Sequence, residues 1–251
     1  MNRFGDTLRK ALHTTPPALG FRPAAPVRPR MVLIASLNEL SAETELWIKG
    51  ADAALFGANI KVKELKGVAK TLGVPWGAWL DGSPQAARQA ESAGADFLAF
   101  DPAKTGLDTV GENVGKVISI DASFENALLH SMSELPFEAV ILRREAQNTV
   151  TWLDLMHFRR LADAITKPLL VPLAPDAGPA LLKALWEAGV DGVIVEALAA
   201  GETQKLRRSM DELDLPARRK WLRVRPLVPL VTQSPGPVQR EEEEQEEEDD
   251  E

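Results

Sequence analysis

The stretch from Pro168 to Gly201, PLLVPLAPDAGPALLKALWEAGVDGVIVEALAAG, holds one complete strand–helix–strand unit. An apolar run, Leu169 to Leu173, breaks at Pro175-Asp176-Ala177-Gly178. Leu181, Leu182, Leu185 and Ala188 then recur at helical spacing until Gly189 turns the chain into a second apolar run, Val190 to Val195. Two strands joined by a helix of this length pair in parallel, because the helix returns the chain to the edge where the first strand began.

The same unit repeats upstream. Met31 to Ser36, Ala51 to Phe56, Pro75 to Leu80, Asp96 to Phe100, Lys116 to Ile120 and Glu138 to Leu142 read as strands. Their continuous apolarity is that of strands covered on both faces. Helical spacing follows in Val62 to Leu72, Pro84 to Ala93, Glu125 to Leu135 and Thr151 to Ile165, with a start at Ser41 to Thr44 and a last helix at Glu202 to Leu213. Ala103 to Val114, interrupted by Gly106 and Gly111, is the weakest helix. Thr151 and Asp154 form the capping pair of the longest crossover. Eight strands alternating with helices at about twenty residues per unit predict a closed (β/α)8 barrel. A doubly wound open sheet is the alternative, but no G-x-G-x-x-G follows the first strand and nothing marks a reversal of strand order.

The barrel is expected over 31–214. Before it, 1–30 comprises a short amphipathic helix, with Phe4, Leu8, Ala11 and Leu12 on one side, and a proline-rich lead-in. After it, 215–240 reads as an extended arm, and 241–251 holds ten acidic residues. Of the formal charge of −8, that tail accounts for −10, so the rest carries +2. A like-charge block repels itself and reads as a disordered solvated tail, with recruitment of a protein partner as its functional alternative. The near-neutral body does not favour nucleic acid. No apolar run has the length of a membrane span or a signal segment, so the expected location is cytoplasmic.

Residues just after each strand face the upper rim of such a barrel, where sites are built. In order they are Asn38, Asn59, Asp81, Asp101, Asp121, Arg143, Arg144, Glu145, Asp176 and Glu196. Asp81, Asp101 and Asp121 follow three successive strands. Converging carboxylates can hold Mg²⁺ or Mn²⁺ through oxygen ligands, or divide the roles of general acid and base. Arg143 or Arg144 can clamp an anionic group of a small-molecule ligand. Against this stands helix capping, which each aspartate can perform with no ligand at all. Cysteine and tyrosine are absent, His13, His130 and His157 lie within helices, and no lysine lies inward in a strand, which disfavours Schiff-base chemistry.

The phrases ESAGADFLAFDP and EAGVDGVIVEALAAG resemble the phosphate-binding TIM-barrel superfamily. That resemblance implies an anion held by glycine-rich loops after strands seven and eight, where Gly178 and Gly201 are the matching glycines. Pro175 and Pro179 offer no amide hydrogen there, and Asp176 and Glu196 repel an anion. The expectation is therefore a barrel for a small polar or anionic ligand, acting as a metal-assisted lyase or isomerase through Asp81, Asp101, Asp121 and Glu196, with Asn38, Arg143, Arg144, Asp176, Gly178 and Gly201 as ligand contacts. The alternative is a non-catalytic scaffold.

Overall fold

Each apolar run forms a short strand, and the eight strands close on themselves. The computed structural model describes residues 2–12, 30–60, 65, 71–145 and 149–215. The strands are β1 (Val32–Leu37), β2 (Ala53–Phe56), β3 (Trp76–Trp79), β4 (Phe97–Phe100), β5 (Gly115–Ile120), β6 (Ala139–Leu142), β7 (Leu169–Leu173) and β8 (Gly192–Glu196). They pair in sequence order, every neighbour parallel, and β8 returns to β1 in the register Val32–Gly192 through Ser36–Glu196. The (β/α)8 barrel is thus the fold, and the open sheet is excluded by the β1–β8 ladder. Nearly every strand side chain is buried.

The helices among the described residues are α1 (Arg3–Leu12), α2 (Thr44–Trp47), α3 (Pro84–Ala93), α4 (Asn126–Glu134), α5 (Trp152–Ala164), α6 (Pro179–Ala188) and α7 (Glu202–Asp211). Local chemistry sets their starts. Proline occupies the first turn of α3 and α6, where its missing N–H leaves no helical bond unmade. At α5 the expected capping box is complete: Thr151 Oγ1 accepts from Asp154 N–H at 3.2 Å, and Asp154 Oδ2 accepts from Thr151 N–H at 2.8 Å. The helix expected in Ala103 to Val114 is absent, and turns connect β4 to β5 instead. Gly106 and Gly111 interrupt that segment, and glycine weakens a helix interior by up to about 1 kcal/mol. Of the helix expected over Val62 to Leu72, most lies outside the described residues, as do the proline-rich run after His13, the arm beyond Leu215 and the acidic tail.

α1 closes the lower mouth. Phe4 is fully buried and stacks on Phe97 with ring centroids 3.9 Å apart, while Asn2 Nδ2 donates to Glu138 Oε1 at 3.0 Å. Burying one such ring contributes about 1.5–3 kcal/mol. Around the same end, three aspartates perform one task. Asp52 accepts from Leu33 N–H (3.0 Å), Asp96 from Trp76 N–H (3.0 Å) and Asp191 from Leu169 N–H (2.9 Å). Each stands just before a strand and satisfies an amide at the start of its neighbour. Such an amide, left bare in the interior, would cost about 1–3 kcal/mol. The phrases that carry the family resemblance, Gly94-Ala95-Asp96 and Gly189-Val190-Asp191, are this device. Their glycines take φ of +92° and +103° to end a helix, and the aspartate then seals the barrel floor.

Candidate functional site

Ring order decides which of the rim residues meet. β4, β5 and β6 are consecutive, so the residues after them share one sector, while Asn38 and Glu196, at β1 and β8, lie across the mouth from β5. Asn38 Nδ2 donates to Glu196 Oε1 at 2.7 Å, which ties the two strand ends together.

The three evenly spaced aspartates begin alike. Each folds back on its own loop: Asp81 accepts from Ser83 N–H (2.8 Å), Asp101 from Ala103 N–H (3.0 Å) and Asp121 from Ser123 N–H (2.9 Å). Local backbone binding by aspartate is a standard turn-forming role. The helix cap after β3 is Ser83 rather than Asp81. Beyond this the three part company. Arg143 Nη1 donates to Asp101 Oδ2 at 2.9 Å and Nη2 to Asp121 Oδ2 at 3.4 Å, so one guanidinium spans two carboxylates. Lys104 Nζ stands 3.9 Å from the same Asp101 oxygen. Asp81 remains in its own loop, which packs on the Asp101 loop through Gly82. A Cβ there would fall 2.6 Å from Lys104 O.

Asp81, Asp101 and Asp121 are the residues expected to hold a divalent cation. Among the described residues no three His, Cys, Asp or Glu side chains are grouped to hold a metal ion. Between the two carboxylates that do approach each other, Arg143 already supplies the positive charge.

Arg143 also sets the protonation of its partners. Asp101 is held below the ordinary aspartate value of 3.8, first by the hydrogen bond from Arg143 and then by Ala103 N–H. Asp121 is lowered as well, chiefly by the Ser123 hydroxyl and Ser123 N–H, with Arg143 adding less. Arg143 is raised, with Asp101 the main cause. Carboxylates depressed in the folded state bind fewer protons there than when unfolded. Their contribution to stability is therefore present above the unfolded value and lost as pH falls through the folded one. The urea midpoint should accordingly hold from pH 7 to 5 and fall below pH 3.8, and Arg143→Met should fall less steeply. Parallel acid limbs for the two proteins would remove the clamp as the cause.

Beside the clamp lies a cleft of about 360 Å³ lined by Asp101, Pro102, Ala103, Ser119, Ile120, Asp121, Phe124 and Arg143. Ser119, in β5, is 1% exposed, and its hydroxyl has no hydrogen-bond partner. Alternation along β5 puts Ser119 on the face that Asp121 continues, one step below the rim. Reasoning from the sequence passes over Ser119 because it lies inside a strand. The available signal is a single hydroxyl in the otherwise apolar end of that strand, where a buried polar group requires a partner.

The remaining expected residues lie in the loops after β6, β7 and β8. Arg144 Nη1 donates to Pro172 O in β7 at 3.1 Å. Asp176 occupies a turn closed by Ala177 N–H to Ala174 O at 3.3 Å. Gly178 and Gly201 precede α6 and α7 without a side-chain cap, and a Cβ at either would meet nothing within 4 Å.

No family model matches the chain, and no curated protein matches it. Solved structures do. Tryptophan synthase α-subunit from Pyrococcus furiosus superposes with a TM-score of 0.57 at 14% identity, over 73% of this chain and 98% of that one. Thiamine phosphate pyrophosphorylase from Pyrococcus furiosus gives 0.54 at 14% identity, over 72% and 96%. The barrel architecture expected from the sequence is thus shared with these structures. At this identity the likeness shows the eight-stranded barrel alone.

Proposed function

We propose that this chain is a small-molecule-binding (β/α)8 barrel whose ligand sits at the upper rim, between the loops after β4, β5 and β6. One observation carries the reading: Ser119, whose buried hydroxyl is unpartnered, lines a cleft beside a guanidinium fixed by two carboxylates. A group fixed before the ligand arrives loses little entropy on binding.

The protonation states favour binding over proton transfer. A general acid or base works best with a pKa near the operating pH, and Asp101 and Asp121 are driven away from it. A metal-assisted lyase or isomerase step therefore draws less support from these residues than ligand binding does.

Saturation-transfer NMR with millimolar mixtures of monosaccharides, amino acids, dicarboxylates and sugar phosphates tests the reading. At least one compound should receive saturation from the full chain and lose it in Ser119→Val and in Arg143→Met. Signals indifferent to both substitutions would sink the proposal.

A second reading, an interaction scaffold, draws on α5. Trp152 is 80% exposed, with Met156 one turn on and Leu153 beside it also exposed. An exposed apolar cluster of this kind is a frequent protein contact. Recovering partners on the full chain, on Trp152→Lys and on a chain ending at Arg240 would separate the α5 face from the acidic tail.

A further inference from the structure

The binding reading leaves the ligand's chemistry open, and the composition of the cleft narrows it. We infer that the Asp101–Ser119–Asp121–Arg143 cleft selects a small neutral polyhydroxylated molecule, a free monosaccharide or cyclic polyol; this rests on the ligand-binding function proposed above.

Charge balance favours a neutral ligand. Asp101 and Asp121 face Arg143, and Lys104 Nζ stands 3.9 Å from Asp101 Oδ2. An anionic ligand entering beside the clamp meets two carboxylates, and a cationic one meets Arg143, so either sign brings a like charge into contact. A neutral ligand avoids both penalties.

The hydrogen-bonding groups of the cleft favour hydroxyls. Arg143 has five N–H donors, and the clamp engages one on each terminal nitrogen. The carboxylate oxygens that receive them keep further acceptor capacity, and Ser119 Oγ retains both its donor and its acceptor roles. Donors and acceptors thus alternate within one small space. A hydroxyl matches this pattern because it gives and takes at once. Two neighbouring hydroxyls can donate to Asp101 or Asp121 while accepting from Arg143, and a third can reach toward Ser119.

Size and the apolar part of the lining suit a single ring. About 360 Å³ lies at the small end of ligand sites. Phe124 and Pro102 give the C–H face of a sugar ring an apolar surface against which to lie.

The full chain should be titrated calorimetrically with glucose, galactose, ribose and myo-inositol, and in parallel with glucose 6-phosphate and glucosamine. At least one neutral compound should bind at least tenfold more tightly than either charged analogue. Ser119→Ala should weaken it tenfold or more without lowering Tm, because the deleted hydroxyl makes no bond in the free protein. Arg143→Met should abolish it, and Phe124→Ala serves in its place if that variant does not fold. If a charged analogue, an amino acid or a dicarboxylate binds more tightly than every neutral polyol, and does so in a Ser119-dependent manner, the neutral class is overturned while the binding function stands. Absence of binding by any of these compounds overturns both, and neutral binding unchanged in Ser119→Ala overturns the placement in this cleft.

Discussion

Asp52→Ala should be among the most destabilising single substitutions in this barrel, lowering stability by about 3–5 kcal/mol and Tm by roughly 6–20 °C. The side chain is 6% exposed and gathers three donors from different parts of the chain. Leu33 N–H lies 3.0 Å from Oδ2, Arg207 Nη1 lies 3.3 Å from the same oxygen, and Arg30 Nη2 reaches Oδ1. Arg207 is buried too, and it also donates to Met31 O at 3.0 Å and approaches Asp211 at 2.7 Å. Asp52 therefore fastens the start of β1 to α7 through one buried charge pair. Removing the carboxylate leaves Arg207 buried with less compensation and Leu33 N–H bare, and the uncompensated charge accounts for most of the loss. The double substitution Asp52→Ala with Arg207→Met should recover part of it, since no isolated charge then remains. Thermal melts of both single variants and the double variant decide it. An additive double variant would mean that the two charges are not coupled in the folded state.

Much of the architecture was legible because the physics behind it is local. Strands such as Val32–Leu37 and Gly192–Glu196 are short apolar runs, and helices such as Pro179–Ala188 lie between a proline start and a glycine stop. Closure then followed from counting units. The site was harder, because it depends on which loops become neighbours. Asp81, Asp101 and Asp121 look equivalent in sequence, being evenly spaced and equally placed after strands, and each makes the same turn with the amide two residues on. What distinguishes them is the long side chain of Arg143. Rooted after β6, it reaches the loops after β5 and β4, and the loop after β3 lies one strand further round. Nothing in the spacing of acidic residues shows that Arg143 bridges two of the three. Ser119 escapes notice for a related reason: its importance lies in a hydrogen bond it does not make, which becomes visible only once its surroundings are known.

Two glycines with nearly the same backbone separate strain from packing, and their contrast gives the second large effect. Gly94 and Gly189 each end a helix in the left-handed region, at φ of +92° and +103°, ahead of an aspartate that seals the floor. A Cβ at Gly94 would meet nothing within 4 Å, so Gly94→Ala introduces backbone strain alone, about 1–2 kcal/mol. At Gly189 the same atom would lie 2.3 Å from Ala162 Cβ on α5, a separation that forces α5 and α6 apart. Overpacking of this kind costs about 1–3 kcal/mol beyond the strain. Gly189→Ala is thus expected to lose about 2–5 kcal/mol, clearly more than Gly94→Ala, in denaturant titrations compared at equal m. Ala162→Gly in the Gly189→Ala background should return the midpoint toward that of Gly94→Ala, because it removes the colliding methyl and leaves the strained turn in place. Equal losses at Gly94 and Gly189 would show instead that the α5–α6 contact yields freely, and the shared turn conformation would then account for both.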